Sequence, residues 1–127
     1  MEDLFFTATA TTPYVYFKKT GIFEVTGKVI SSEDEEFWNI IFNWLEEYAK
    51  KPSKNTIVKI QLDYLNSSSL LKINRFAKLI ARISSPDSEV KVIWLYNEVD
   101  VYMYEMGCEF SKRTNISFDF ELIPEFV

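Results

Sequence analysis

Thr56-Ile57-Val58-Lys59-Ile60-Gln61-Leu62-Asp63-Tyr64-Leu65-Asn66-Ser67-Ser68-Ser69-Leu70-Leu71-Lys72 carries two different periods on either side of a polar knot. Up to Leu65 the residues alternate, with Val58, Ile60, Leu62 and Tyr64 on one face and Lys59, Gln61 and Asp63 on the other, as in a strand with one covered side. After Asn66-Ser67-Ser68-Ser69 the spacing becomes Leu70, Ile73, Phe76, Ala77, Ile80 and Ile83, one stripe of a helix that stops at Ser84-Ser85-Pro86-Asp87. Next comes Val90-Lys91-Val92-Ile93-Trp94-Leu95-Tyr96, nearly all apolar, which predicts a central strand covered on both faces. Strand, helix, strand in this order is a right-handed crossover, and it predicts parallel pairing.

Upstream, Phe37, Ile40, Ile41, Trp44, Leu45 and Tyr48 recur at helical spacing until Lys50-Lys51-Pro52, and Ser32 with Glu35 offers a capping box at the start of that helix. Before it, Tyr14–Lys18 and Ile22–Lys28 flank Lys19-Thr20-Gly21 and predict an antiparallel hairpin. Residues 1–12 show no sustained period and read as a loose lead-in. Downstream, Asp100 is placed to cap a third helix with Met103, Met106 and Phe110 inward, and Ser117–Leu122 alternates as a last strand. The predicted fold is therefore α/β in the order ββαβαβαβ, a mixed, mostly parallel sheet of about five strands with an N-terminal hairpin and three α-helices. With no internal linker or repeat, residues 1–127 are expected to form one domain.

Composition removes function classes. The sequence contains no histidine, so histidine triads, histidine zinc sites and histidine phosphorelay are excluded. Cys108 is the one cysteine and has no histidine to activate it and no second thiol to pair with, which fits a reducing cytoplasm. A net charge of -5 lacks the field that phosphate backbones require, so nucleic acid is not an expected partner. The acidic start Met1-Glu2-Asp3 lacks a basic leader, and no apolar run reaches membrane-spanning length, so the expectation is a cytoplasmic protein without membrane insertion. Gly21 to Lys28 is a failed phosphate loop: five residues separate its glycines, Val29 stands where a hydroxyl belongs, and it lies in a predicted hairpin strand. The run Glu33-Asp34-Glu35-Glu36 reads as a solvated helix start rather than a cation loop. No catalytic residue, metal site or cofactor is expected. Aromatic residues make up 17%, read chiefly as core packing, with an exposed docking patch as the sharper alternative.

What remains is the serine knot, which the pattern places at the carboxyl end of a strand and the amino end of a helix, where open α/β sheets tend to carry their sites. Two readings stand side by side. Asn66 or one of the serines is the helix cap, with the others as small polar filler. Alternatively, one hydroxyl accepts a phosphoryl group, whose charge of about -2 a helix N-terminus tolerates and a docked partner does not.

Several stretches in register resemble one family. They are Thr12-Pro13-x-Val15-x-Phe17; Gly27, with Phe37 and Trp44-Leu45 beyond it; Asp63-Tyr64-Leu65-Asn66-Ser67-Ser68-Ser69; Trp94-x-Tyr96 with Asp100, Met103, Glu105, Gly107 and Phe110; and Phe118-x-Phe120-x-Leu122. Together they resemble the SiaC family, small bacterial regulatory phosphoproteins with a fold similar to STAS domains. The resemblance implies a non-catalytic adaptor, phosphorylated by a dedicated Ser/Thr kinase and cleared by a PP2C-like phosphatase. Unphosphorylated, it would bind and activate an effector, a diguanylate cyclase, in cyclic-di-GMP and biofilm control. Ser67 stands at the family's phosphorylated threonine, with Ser68 and Ser69 as neighbouring acceptors. Tyr64, Leu65, Asn66, Ser68, Ser69 and Lys72 would form the switch loop and partner surface. Lys28-Val29-Ile30-Ser31-Ser32-Glu33 and Asn97–Tyr102 depart from the family's pattern, which leaves the effector's identity open. Two other classes stay in view: a STAS-type antagonist of an anti-sigma factor, and a small enzyme built on carboxylates such as Asp63 and Asp100.

Overall fold

β-branched and aromatic runs give three opening strands, β1 (Leu4–Phe6), β2 (Tyr14–Lys18) and β3 (Ile22–Val29). The helix α1 (Glu35–Lys50) leads to β4 (Asn55–Leu65), and a 3₁₀ turn at Ser67–Ser69 runs into α2 (Leu70–Ile83). β5 (Glu89–Tyr96), α3 (Val101–Thr114) and β6 (Phe118–Leu122) complete the order. The computed structural model describes residues 1–30 and 34–124. The described strands make one six-stranded sheet in chain order, antiparallel from β1 to β3 and parallel from β3 to β6. Three right-handed crossovers that each step one strand the same way put every helix on one face, with α2 packed between α1 and α3.

This is the predicted fold class with one strand more. The lead-in is not loose: Leu4, Phe5 and Phe6 pair with Phe17, Tyr16 and Val15, and the Trp44 indole donates to the Glu2 carbonyl at 2.7 Å. Asp3 accepts the backbone N–H of Lys19 at 2.8 Å. A three-residue strand leaves too short a pattern to show a period, and long-range pairing creates it.

Along α1 the buried stripe is Trp38, Ile41, Phe42, Leu45 and Tyr48, rotated from the predicted one. Ile40 is exposed, while Phe37 and Trp44 sit half-buried at the flank that β1 covers, with Phe37 against Phe6 at 4.8 Å between ring centroids. The expected capping box involves Ser32, which lies outside the described residues; Glu35 forms an ion pair with Lys72 instead. On α3, Asp100 does cap, accepting the Met103 N–H at 3.0 Å.

The apolar run of β5 is covered by helices on one face alone. Val90, Val92 and Trp94 point into the core, while Lys91 is exposed and Ile93 half-buried on the helix-free face. Leu95 also points there and is shielded beside its cross-strand neighbours Gln61 and Glu121. The core beneath the helices is largely aromatic: Phe17, Phe23, Trp44 and Tyr48 pack in series, and Trp94 contacts Phe110 and Phe118.

Candidate functional site

One extra residue in β4 decides what the carboxyl edge of the sheet presents. Gly27 pairs opposite Leu62, but Lys28 pairs opposite Tyr64, so Asp63 is left over and the ladder bulges. Gly27 takes φ +128°, a conformation open to glycine and strained for other residues. The bulge inverts the alternation: Leu65 is buried and Tyr64 is 51% exposed, so Tyr64 does not share the inward face of Val58, Ile60 and Leu62 as the pattern predicts. The isolated glycine in β3 was the available signal for such a bulge.

Beyond Leu65 the chain is tied back to the end of β3. Asn66, in extended conformation, donates its N–H to the Val29 carbonyl at 3.3 Å, and its side chain accepts the Ser69 N–H at 3.1 Å. The Ser69 hydroxyl faces the Val29 carbonyl at 2.9 Å and the Asn66 side-chain oxygen in a bifurcated arrangement. The two readings of the serine knot thus fall on different residues: Asn66 is the cap, Ser69 is fully buried, and Ser67 and Ser68 are exposed. Lys72 does not reach into solvent beside them, because its ammonium bonds Glu35 at 2.6 Å and fastens the start of α2 to that of α1.

The neighbouring joint, between β5 and α3, ends at the same edge. Asn97 accepts the Val99 N–H at 3.1 Å and Asp100 caps α3. Around the two joints stand Tyr64, Leu71, Val99, Val101 and Tyr102, all large, apolar or aromatic and exposed, with Leu71 at 78% and Val99 at 86%. The strand alternation puts Tyr64 on the inward face while the family resemblance counts it in the partner surface, and neither singles out Leu71, Val99 or Val101; single apolar residues in short loops carry no periodic signal. Of these five, two are aromatic, Tyr64 and Tyr102, while most of the aromatic excess is core.

Chemically the edge offers hydroxyls and helix N-termini. The amino ends of α2 and α3 both point here, so the dipoles and backbone N–H groups favour added negative charge. Cys108 lies half-buried on α3, where its hydrogen bond with Tyr104 is the main cause raising that phenol above its usual pKa. Among the described residues, no group of three or more Cys, Asp or Glu gathers as metal ligands would. Nor is any described helix long and apolar enough to cross a membrane.

The fold is similar to that of apo-SiaC from Pseudomonas aeruginosa, at 23% identity and a TM-score of 0.80 over 98% of this chain and 100% of that one. It is likewise similar to a chain in the crystal structure of the diguanylate cyclase SiaD in complex with its activator SiaC, from the same organism. That match has 20% identity, a TM-score of 0.85, and covers 95% of this chain and 100% of that one. None of the curated proteins matches the sequence. The family model for the SiaC family regulatory phosphoprotein matches residues 6–124. With β2 through β6 and the serine joint all inside that match, the chain belongs to the SiaC family of regulatory phosphoproteins.

Proposed function

We propose that this chain is a non-catalytic adaptor, working in the cytoplasm, that docks an effector on the carboxyl edge of its sheet and is released by phosphorylation of Ser67. The effector is a diguanylate cyclase, which the unphosphorylated form binds and activates. A Ser/Thr kinase adds the phosphoryl group and a PP2C-like phosphatase removes it. The observation that carries the reading is the division of labour in the serine joint. Asn66 supplies the cap and Ser69 the buried anchor, which leaves Ser67 exposed at the start of the 3₁₀ turn that feeds α2. Membership of a regulatory phosphoprotein family supports it, as does the similarity to an activator solved with its cyclase.

The release mechanism is electrostatic and solvational. A phosphoryl group adds a charge of about -2 and a hydration shell among Tyr64, Leu71, Val99 and Val101. The adaptor's own helix N-terminus accommodates that charge. A partner surface packed against those side chains must desolvate it, and a chain already at -5 repels an acidic partner further.

Calorimetry on the effector captured from native cytoplasm tests this. Ser67→Asp is expected to weaken binding at least about tenfold, with an unchanged circular dichroism spectrum. Ser67→Ala is expected to bind like the parent and to gain no phosphate in intact-mass analysis after kinase treatment. Equal affinity of Ser67→Asp and parent, together with phosphate appearing on Ser68 in the Ser67→Ala protein, overturns the assignment to Ser67.

A further inference from the structure

The helices cover one face of the sheet, and the strand pairing sets out the other face in three rows. Residues alternate along each strand, so the neighbours of the buried Val15, Phe23, Val58 and Val92 face away from the helices. The middle row runs Phe5, Tyr16, Glu24, Lys59, Ile93, Asp119 from β1 to β6. Toward the amino ends of the parallel strands lie Lys18, Ile22, Ile57 and Lys91, and toward their carboxyl ends Tyr14, Thr26, Gln61, Leu95 and Glu121. These rows hold three lysines and three carboxylates, so the face is neutral and the chain's net charge of -5 sits elsewhere. Phe5, Ile22 and Ile57 are exposed at 53%, 43% and 40%, and Phe5 meets Tyr14 and Tyr16 edge-on at 5.5 Å. Glu24 and Lys59, side by side at the centre, make no salt bridge among the described residues.

We propose that this face is the interface of a homodimer, in which a second copy of the chain stacks sheet on sheet about a two-fold axis running along the strands between β3 and β4. Such an axis sets β3 of one copy over β4 of the other and β2 over β5, so each row meets itself in reverse order. Glu24 then faces Lys59 of the other copy, at two places in the dimer, while Ile22 faces Ile57, Thr26 faces Gln61 and Tyr16 faces Ile93. Charge, apolar surface and hydrogen-bonding groups each find their own kind of partner, which is the self-complementarity that a two-fold contact requires and a foreign partner does not. The mismatches fall outside the centre: Phe5 over Asp119, and Lys18 over Lys91, whose charge Asp119 of its own chain already holds at 3.1 Å. Over the rest of the surface, copies that each carry -5 repel, so the neutral face is where they can meet. Six strands and five residues of each span about 29 by 17 Å, or ~1,000 Å² over both copies, at the lower bound of a specific interface, so the dimer is reversible. Both serine edges lie at one end of the dimer and stay uncovered, so the inference does not depend on the adaptor reading.

Analytical ultracentrifugation of the full chain tests it. The parent is expected to pass from monomer toward dimer between about 10 μM and about 1 mM. Glu24→Lys or Lys59→Glu alone sets like charges opposite each other twice and should weaken the dimer about tenfold. The two changes together restore the pairs with their signs exchanged and should return the dimer to within about threefold of the parent. Glu105→Lys, the same charge change on the helix side, should not weaken it. In ¹³C-methyl spectra, the signals of Ile22, Ile57 and Ile93 should move with protein concentration while those of Ile40 and Val99 stay in place. A chain that remains monomeric to about 1 mM overturns the proposal and leaves the face to solvent or to a foreign partner. A dimer that the double exchange does not restore, or that Glu105→Lys weakens as much as Glu24→Lys, overturns it by placing the contact elsewhere. Neither result bears on the serine switch, which Ser67→Asp tests by itself.

Discussion

At the β4–α2 joint Asn66 accepts the backbone N–H three residues on at 3.1 Å; at the β5–α3 joint Asp100 does the same at 3.0 Å. The caps match, yet the two joints are anchored by different physics. The α3 joint is held by packing: Trp94, buried under the helix, donates its indole N–H to the Met103 carbonyl at 3.1 Å, and α3 approaches it at Gly107. The α2 joint is held by hydrogen bonds, with the Asn66 N–H and the Ser69 hydroxyl both directed at the Val29 carbonyl. A second difference is charge. Asp100 already places a carboxylate on the α3 N-terminus, whereas the Asn66 cap is neutral and leaves the dipole of α2 uncompensated by its own cap. The exposed hydroxyls belong to the joint that has electrostatic room for a phosphoryl group.

The packed joint should break hardest. A Cβ at Gly107 would stand 2.6 Å from the Trp94 indole nitrogen, and that ring is pinned by its own hydrogen bond within the core. Gly107→Ala gains up to about 1 kcal/mol of helix propensity, but overpacking against a ring that cannot move aside costs about 1–3 kcal/mol. Where the clash lies with rigid ring atoms the upper end applies, so a net loss of about 2 kcal/mol and a Tm lower by several degrees are expected in thermal unfolding. Near-ultraviolet dichroism should also lose part of the Trp94 signal. A Tm equal to or above the parent's would show that α3 lifts off the sheet at little cost, and the contrast between the joints would collapse.

At the hydrogen-bonded joint the corresponding change is Ser69→Ala. It removes one donor from the Val29 carbonyl, which keeps the Asn66 N–H, and leaves the cap from Asn66 in place. About 1 kcal/mol should be lost in chemical denaturation, the ordinary worth of one buried hydrogen bond. Amide exchange of Asn66 should rise while that of Met103 stays as it was, because the loosening is local to one joint.

How far these joints were legible in the sequence follows the same division. Strand and helix periods around residues 56–83 are long, repeated and local, and they specify the crossover and the parallel pairing; Asp100 ahead of Met103, Met106 and Phe110 marks the cap of α3 in the same local way. The serine knot was legible as a strand-to-helix joint, and the family resemblance singled out Ser67. Three things were not legible, each because another part of the chain decides it. The strand period does not show that Tyr64 faces out, although the resemblance counts it in the partner surface: β4 bulges at Asp63 next to Gly27, whose φ of +128° is open to glycine, and a one-residue slip moves later side chains to the other face. Trp38 and Phe42 turn inward on α1 because β1 and the Glu2 carbonyl occupy the flank beside Phe37 and Trp44. Ser69 is buried because its hydroxyl reaches the Val29 carbonyl, 40 positions earlier in the chain. Periodicity reports which face of an element is apolar; it does not report which neighbour arrives to use it.

The smallest expected effect on stability is at Ser67, and its smallness is what makes it informative. Its side chain is exposed, the turn it begins is capped by Asn66, and the joint is anchored by Ser69. Ser67→Ala should therefore shift stability by no more than about 0.5 kcal/mol, the range of a surface substitution. Set beside the roughly 1 kcal/mol at Ser69, two positions along, this difference separates a hydroxyl that holds the joint from one presented to solvent. Matched denaturation curves of the two alanine variants measure it directly. If Ser67→Ala costs as much as Ser69→Ala, the Ser67 hydroxyl is structural, and a phosphoryl group there would unfasten the joint itself rather than block a partner at its surface. That result would turn the switch from a change in what the edge presents into a change in whether the edge is formed.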